Sequence, residues 1–231
     1  MEIDNNLGNY SNALKRKMWI TRGARFEAYN HYLGKHALSN FAISFFSAYV
    51  IIINFLTIYD VISSNFDSLI QFSTMTLSVL ILAFAQLESA NDYKLKAERF
   101  HDCSREISKL LNELNFLLSK NNISSYASEH HIKSISDQYD IIIQRYSDNH
   151  SSIHYKAFKA NYPYDFPDEF LKEYSTDALD IKSLNVKYWK ILQIRVLAFL
   201  QPRWLYLLLI LVPPILFILA IILLPATTNP S

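Results

Sequence analysis

The stretch that decides the fold is residues 37–87, ALSNFAISFFSAYVIIINFLTIYDVISSNFDSLIQFSTMTLSVLILAFAQL. It holds two uncharged hydrophobic runs, 37–59 and 68–87, of 23 and 20 residues, with only the eight residues 60–67 between them. At a helical rise of about 1.5 Å per residue, each run is long enough to cross the hydrocarbon core of a bilayer. The two runs therefore predict a transmembrane hairpin.

The distribution of positive charge predicts the orientation of the hairpin. A third uncharged run, residues 204–224, predicts a C-terminal span that is followed by a short external tail, 225–231. Six of the 22 Lys and Arg residues precede the first run, and the other sixteen lie between residues 88 and 203. Because Lys and Arg are retained on the cytoplasmic side, the N-terminus and the middle segment are expected inside and the C-terminus outside. The chain is therefore expected to be a multi-pass membrane protein.

Composition excludes several classes of enzyme. The only glycines are Gly8, Gly23 and Gly34, so the middle segment lacks the glycine-rich phosphate loops of nucleotide hydrolases and dinucleotide-binding enzymes. Cys103, the single cysteine, is expected to be a small buried apolar side chain. No nucleophile stands at a recognisable spacing from a base, so we predict no enzyme activity, no catalytic residue and no cofactor. Direct binding of nucleic acid is not expected.

The segment after the hairpin has the periodicity of packed helices. Apolar residues alternate at spacings of three and four, which is typical of a coiled-coil seam. Since no Gly or Pro separates the second run from the seam that follows it, one helix is expected from Ser68 to about Lys120. Residues 121–125 favour a turn, and a second seam follows, so the two helices should pair antiparallel. The two seams are Tyr93, Phe100, Cys103, Ile107, Leu110, Leu114 and Leu117, and then Ile132, Ile135, Tyr139, Ile142 and Tyr146.

A further helix over residues 10–36 is expected to lead into the first span, although Gly23 weakens it. Its apolar positions are Leu14, Met18, Phe26, Tyr29 and Leu33. The predicted fold is an all-α membrane protein, in which a transmembrane hairpin is continuous with an antiparallel cytoplasmic bundle and a C-terminal transmembrane helix is added. The expected regions are 1–36, the N-terminal helix; 37–87, the hairpin; 88–160, the coiled-coil pair; 161–203, a linker and basic helix; 204–224, the third span; and 225–231, the tail.

The net charge of the region 161–203 changes from negative to positive along its length. Residues 161–180 carry two prolines and six acids against one lysine, which indicates a linker or an acidic docking surface. Residues 181–203 are basic and place Val186, Trp189, Leu192, Val196 and Phe199 on one helical face. This second part fits either an interfacial helix on anionic lipid or a fourth bundle helix with a basic outer face.

Each span of the hairpin carries a polar stripe. Such residues need a partner in hydrocarbon, and two interpretations stay open. Several hairpins could surround an aqueous lumen, or the stripes could form hydrogen bonds between helices, which are worth only about 1 kcal/mol each. The stripe residues are Asn40, Ser44, Ser47 and Asn54 on the first span, and Gln71, Thr74 and Ser78 on the second.

A group of histidines is the alternative candidate for a functional site, namely a metal site. His150 and His154 stand four residues apart with Asp148 nearby, so they could share a helix face and hold a metal ion. His130 and His131 add to this cluster, but no HExxH arrangement is present, and we predict no metal site.

The order of elements over residues 10–160 resembles the bacterial SLATT domain family. The resemblance rests on a basic N-terminal helix, a tight hairpin and a set of bundle residues: Tyr93, Lys94, Ala97, Phe100, His101, Ile107, Leu110, Tyr139, Tyr146, Asn149, His150 and Tyr155. It implies a pore-forming effector of a bacterial conflict system, encoded with a second-messenger synthase or a reverse transcriptase, that arrests or kills an infected cell.

With that resemblance, the expected function is an oligomeric antiviral effector that permeabilises the inner membrane when a signal reaches its cytoplasmic bundle. The seven stripe residues are the expected pore lining. The expected regulatory residues are Tyr93, His101, Tyr139, Asn149, His150 and Tyr155. One alternative is a membrane-anchored scaffold that captures a partner without conductance, and another is a metal-dependent membrane enzyme using His150 and His154.

Overall fold

The described part of the chain is almost entirely helical. A computed structural model describes residues 2–59, 67–119, 125–172, 185–201, 203–211 and 215. A short 3-10 helix lies at Pro163–Asp165, and two strands of two residues each pair antiparallel, with Leu171 opposite Val186. The helices are α1 Glu2–Ile58, α2 Asp67–Ala90, α3 Tyr93–Ser119, α4 Ser125–Arg145, α5 Ser152–Asn161, α6 Pro167–Phe170, α7 Tyr188–Leu200 and α8 Trp204–Leu211, and the strands are β1 Leu171–Lys172 and β2 Asn185–Val186.

The chain divides into two compact units. Residues 1–33 and 94–200 form one, called here the bundle unit, and residues 34–93 and 201–231 form the other, called the hairpin unit. By length and composition, two helices could cross a membrane, one within Leu7–Phe55 and one within Ile70–Ser119. A third candidate arises only if α7 and α8 are counted together.

The core of the bundle unit is built from three helices. The predicted seams of α3 and α4 are buried along their length, from Phe100 to Leu114 and from Ile132 to Ile142. Arg145 pairs with Glu106, and His131 lies near Glu113, so α3 and α4 run antiparallel. Leu14 and Met18 of α1 complete the same core.

The buried face of α1 differs from the predicted one. Phe26 and Leu33 are exposed, whereas Ala24, Arg25 and Ala28 are buried. Small side chains let the backbone of α1 approach its neighbours closely, a preference that a count of large apolar residues does not detect. The predicted apolar face of this helix is therefore wrong at Phe26 and Leu33.

Residues 161–172 are folded where a linker was expected. Phe170 of α6 is fully buried against Ala160 and Ile191. Glu169 is paired with Lys159 and lies 4.0 Å from Lys190. Glu169 of α6 therefore helps to hold α5, α6 and α7 together. The remainder of the expected acidic segment, residues 173–180, lies outside the described residues, as do residues 181–184, the hairpin loop at 60–66 and the turn at 120–124.

The expected single helix from Ser68 to Lys120 is instead two helices. The backbone N–H groups of Asn91 and Asp92 donate to the carbonyls of Glu88 and Ser89, at 3.2 and 3.3 Å, which closes α2. Asp92 has a φ of 49°, in the left-handed region. Asn and Asp enter this region more readily than other non-glycine residues. The break needs no Gly or Pro, so looking only for those residues missed it.

The expected third span is described only in part. Helix α8 covers Trp204–Leu211, and Ile215 is also helical. Residues 212–214, with Pro213 and Pro214, and residues 216–231 lie outside the described residues.

Candidate functional site

The hairpin unit packs through a narrow stripe on α1. Ser39, Ala42, Phe46 and Val50 recur at spacings of three and four and are buried. These positions share one side of a helix with 3.6 residues per turn. The predicted polar stripe lies about 100° around the helix from this side, so it flanks the packed surface and is not at its centre.

Two of the predicted stripe residues meet inside the hairpin. The Thr74 hydroxyl is buried and donates to the Asn54 side-chain oxygen at 3.4 Å. It also donates to the Gln71 carbonyl at 3.1 Å, and the Asn54 amide donates to the Val50 carbonyl at 2.8 Å. At this pair, the stripe residues form a hydrogen bond between the two helices, as one of the two interpretations expected.

The other five stripe residues are exposed in the single chain. The Asn40 amide lies 3.2 Å from Nε2 of His36, one turn before it on α1. Ser47 and Ser78 donate to carbonyls four residues earlier, at 3.0 and 2.8 Å. A serine can be satisfied by its own helix in this way, but the helix face that carries it remains polar. The exposed set is Asn40, Ser44, Ser47, Gln71 and Ser78.

Helix α8 joins the hairpin through a contact that the sequence analysis missed. The Tyr206 hydroxyl donates to a Glu88 carboxylate oxygen at 2.6 Å, and Tyr206 is almost fully buried. Its ring meets Phe84 edge to face, with centroids 6.3 Å apart. Glu88 is the first charged residue after the uncharged run 68–87, so this bond fixes α8 at the end of that run.

An apolar cavity of about 510 Å³ lies between these helices in the hairpin unit. Phe46 comes from α1, Ile81 and Phe84 from α2, and Leu208 and Leu209 from α8. An apolar lining of this kind suits hydrocarbon and offers no polar group to a water-soluble ligand.

The residues predicted to be regulatory do not form one site. Tyr93 belongs to the hairpin unit, where the Lys35 ammonium lies 4.3 Å from its ring centroid. Tyr139 is in the bundle core, and its hydroxyl is 3.0 Å from the Thr21 hydroxyl. Asn149 is exposed, and the ring of Tyr155 lies below the ammonium of Lys159 at 4.6 Å. They are distributed over the two units.

A buried polar cluster surrounds His150, another predicted regulatory residue. Arg25 on α1 is only 2% exposed, and its guanidinium donates to the Tyr146 carbonyl at 3.3 Å. Within the described part of the chain, Nε and Nη1 of Arg25 and Nδ1 of His150 have no hydrogen-bond partner. Burial, with the nearby Arg25 charge as a second cause, lowers the pKa of His150. Both effects favour a neutral imidazole beside the guanidinium.

His154 belongs to the same cluster. It accepts a hydrogen bond at Nδ1 from the Ser151 backbone N–H at 3.2 Å, at the start of α5. Its ring lies edge to face with His31, with centroids 4.6 Å apart. Burial lowers the pKa of His154 to about 4, and the nearby His31 and His150 act in the same direction. It is therefore neutral at physiological pH.

A chain of polar contacts ties the cluster to α3 and α4. The Tyr146 hydroxyl donates to Glu106 at 2.8 Å, and Glu106 pairs with Arg145 at 3.0 Å. Burial, followed by the bond to Glu106, raises the pKa of Tyr146 to about 12, so the phenol keeps its proton. Through Tyr146, the buried Arg25 of α1 is linked to side chains of both other bundle helices.

His101 lies apart from that cluster, at a cavity of about 380 Å³ in the bundle unit. Its ring is 4.7 Å from the ring of Tyr29. Gly23 forms part of the wall, and the Phe158 ring occupies the space that a side chain at position 23 would need. This close approach gives Gly23 a packing role, where the sequence indicated only a weakened helix. The cavity carries charges of both signs, from Arg22, Arg105 and Glu27.

The structure does not assemble the histidine metal site considered from the sequence. His150 precedes α5, which begins at Ser152, so His150 and His154 do not share a helix face. Among the described residues, no group of three or more His, Cys, Asp or Glu side chains is placed to hold a metal ion. His131 faces Glu113 at 3.7 Å, and His130 is exposed.

Comparison with known families identifies the family of the chain. The model of the SMODS and SLOG-associating 2TM effector domain family 5 matches residues 8–220. The chain belongs to this family. Its membership agrees with the SLATT resemblance noted from the sequence, and the two membrane-spanning helices of the family description agree in number with the two long apolar helices. This SLATT family is described as an effector domain family and not as an enzyme family. No curated protein and no solved structure matches the chain.

Proposed function

We propose that this SLATT protein is an effector of a bacterial conflict system that permeabilises the inner membrane when several copies assemble. In the assembly, the exposed polar faces of α1 and α2 line an aqueous lumen. The N-terminus and the bundle unit lie in the cytoplasm, because the hairpin loop region and the C-terminal tail carry no Lys or Arg. Helix α8 belongs to a third span that completes the hairpin unit.

The observation that carries this proposal is the uncovered polar stripe. Asn40, Ser44 and Ser47 extend over about 11 Å of α1 at the helical rise, from one end of the uncharged run towards its middle. In hydrocarbon, an exposed amide or hydroxyl face needs protein or water against it. Only Asn54 and Thr74 satisfy one another within the chain. A second copy and a wet lumen would cover the exposed polar faces that the remaining stripe residues form.

Control of this assembly is assigned to the bundle unit. A signal that binds the cytoplasmic bundle can favour assembly only as far as it binds the assembled state more tightly than the dispersed one. The link from Arg25 through Tyr146 to Glu106 connects all three bundle helices. A ligand or partner that shifts the position of one helix would therefore shift the other two. A second-messenger synthase or a reverse transcriptase is the proposed source of the signal.

The test is release of dye and ions from liposomes that contain purified protein. Ser44→Leu, Ser47→Leu and Gln71→Leu combined should abolish release, because the lumen becomes apolar and cannot hold water. The matched control is Ile52→Leu with Phe72→Leu, two exposed positions whose side chains are apolar before and after the change. The control should release as the wild type does.

Equal release by the triple variant and the wild type would contradict the proposed lumen. Circular dichroism and membrane flotation of the triple variant establish that it folds and inserts. If the wild-type protein neither releases dye nor depolarises cells that express it with its neighbouring genes, the pore itself is contradicted.

The scaffold alternative depends on acidic residues, and the charge of one of them, Glu169, is paired within the chain. The Glu169 carboxylate pairs with Lys159, and its backbone carbonyl accepts from Lys190 at 3.1 Å. The Asp165 carbonyl accepts from Arg16 at 3.2 Å. These contacts tie residues 165–169 to the bundle unit itself, so the described geometry favours a structural role for them over partner capture.

A further inference from the structure

Helix α7 docks on the bundle unit by one side only. Ile191 is buried against Ala160 and Phe170, and Ile194 packs beside it. The Arg195 guanidinium donates to the Ala160 carbonyl at 3.4 Å. In the helical projection these three positions fall on one arc, which is the arc that faces α5 and α6.

The opposite side of α7 is apolar and exposed. Trp189 is 79% exposed, and Leu192 and Val196 are exposed beside it, while Tyr188 is exposed at the edge of the docked arc. An ordinary surface helix turns its polar side to water and its apolar side to the core. Here both the docked side and the exposed side are apolar. The exposed side is the face that the sequence analysis singled out as a candidate for lipid.

The charge of α7 suits a surface with negative charge. The helix carries Lys190 and Arg195, Lys187 precedes it, and it contains no acidic residue. Lys187 and Lys190 stand at its first turn, and both donate to the Glu169 carbonyl, at 3.5 and 3.1 Å. The Lys190 side chain remains 45% exposed, so it can contact an external anion as well.

Chain length brings α7 to the membrane boundary. Four residue steps separate Leu200 from Trp204, which is at most about 14 Å of extended chain. Two residues later, Tyr206 is bonded to Glu88, the first charged residue after the uncharged run of α2. Helix α7 therefore ends only four residues along the chain before the helix that is bonded at the end of that run.

We propose that α7 lies along the cytoplasmic surface of the bilayer, with Tyr188, Trp189, Leu192 and Val196 inserted at the boundary between headgroups and acyl chains. An amphipathic helix in this position is buried about 5–10 Å into the interface. Its aromatic rings sit where indole and phenol rings are enriched, and the exposed Lys190 is available to anionic headgroups. The proposal requires membrane insertion but not conductance, so it stands or falls independently of the pore.

The test uses the full-length protein in vesicles of phosphatidylethanolamine and phosphatidylglycerol. Cys103→Ala removes the only native cysteine, and spin labels are then attached at Leu192→Cys, Val196→Cys and, as a matched control, Ile141→Cys. Ile141 is an exposed aliphatic residue on α4 of the same unit. Labels at positions 192 and 196 should collide more with oxygen, which concentrates in lipid, than with a water-soluble nickel reagent. The label at position 141 should show the reverse.

Two outcomes would overturn the proposal. Labels at 192 and 196 that are as accessible to nickel as the label at 141 would place the face of α7 in water. Labels shielded from both reagents would mean that protein, such as a second copy, covers it. A measurement without spin labels checks the result. Lipids brominated near the headgroup should quench the fluorescence of Trp189, and Trp189→Phe should remove this quenched component.

Discussion

The two units of this protein differ most in how many large apolar side chains they leave exposed. The bundle unit buries Ile107, Leu114 and Ile135. The hairpin unit exposes Ile51, Ile52, Phe55 and many other large apolar residues, and buries small or polar ones such as Ser39, Ala42 and Thr74. Both units are built from long helices, so secondary structure does not distinguish them. A core of large apolar side chains is typical of a unit that folds in water, whereas exposed apolar side chains around small buried ones are typical of helices that pack in lipid.

The largest expected difference in the free energy of unfolding is between two isoleucine variants, one in each unit. Ile107 is 0% exposed in the bundle unit, and Ile52 is 54% exposed in the hairpin unit. Ile107→Ala should lower the free energy of unfolding by about 2–5 kcal/mol, because it removes buried methyl groups and leaves a cavity. Ile52→Ala should change it by less than about 0.5 kcal/mol, since detergent contacts that position before and after unfolding. Denaturation in detergent, followed by circular dichroism, measures both, and equal losses would break the comparison.

The bundle unit should also respond to acid through His154. The pKa of His154 is lowered to about 4, below its unfolded value of 6.5, so the unfolded chain binds more protons between these two pH values. The stability contributed by the neutral imidazole is complete above pH 6.5 and is lost as pH falls towards 4. At about 1.4 kcal/mol per pKa unit, the loss reaches about 3 kcal/mol.

His154→Asn is the control for this prediction, because its side-chain oxygen can still accept from Ser151 but does not titrate in this range. Denaturation midpoints between pH 7 and pH 4 should fall less steeply in this variant than in the wild type. Parallel curves for the two proteins would assign the acid response to other groups.

Two glycines of α1 test how tightly the bundle unit packs. A Cβ at Gly23 would collide with the Phe158 ring, whereas a Cβ at Gly8 would meet open space. Gly23→Ala should therefore destabilise by about 1–3 kcal/mol through overpacking. Gly8→Ala should stabilise α1 by up to about 1 kcal/mol through helix propensity. If shortening Phe158 to Ala does not recover part of the loss in a double variant, the collision is not its cause.

The smallest expected effect tests the polar contact of the hairpin unit. Thr74→Val removes the hydrogen bond to Asn54 and should cost about 0.6 kcal/mol, the usual size of such a bond in a membrane protein. Thr76→Val is the control, since the Thr76 hydroxyl is exposed and donates only to the Phe72 carbonyl of its own helix. Unfolding by increasing fractions of denaturing detergent compares them. A loss at Thr74 as large as that at Ile107 would contradict the view that the hairpin unit is held by packing.

Sequence periodicity predicted the packing of the bundle unit well. The seam residues of α3 and α4 are the ones buried, because a helix of fixed pitch places them on one side whatever the partner is. The same reasoning failed for α1 after Met18, where Phe26 and Leu33 are exposed and Ala24 and Ala28 are buried. Small residues contribute to burial only when a neighbour approaches closely, and that neighbour comes from a distant part of the chain.

The polar residues were harder to predict than the apolar ones. The stripe residues of the hairpin were recognised, but the sequence did not tell which pair meets, and only the approach of the two helices joins Asn54 to Thr74. The buried guanidinium of Arg25 was counted from the sequence as a cytoplasmic charge. Its burial depends on Tyr146 and on the segment before α5, more than a hundred residues away.

The sequence by itself determined the existence of the hairpin, the side of the membrane expected for each segment, and the buried faces of α3 and α4. These follow from local properties: the length of an uncharged run, the position of charges near its ends, and the repeat of an α-helix. Only the tertiary structure decided where α2 ends, which face of α7 is covered, and which polar groups are buried. Those outcomes depend on contacts between residues far apart in the chain, which no local pattern specifies.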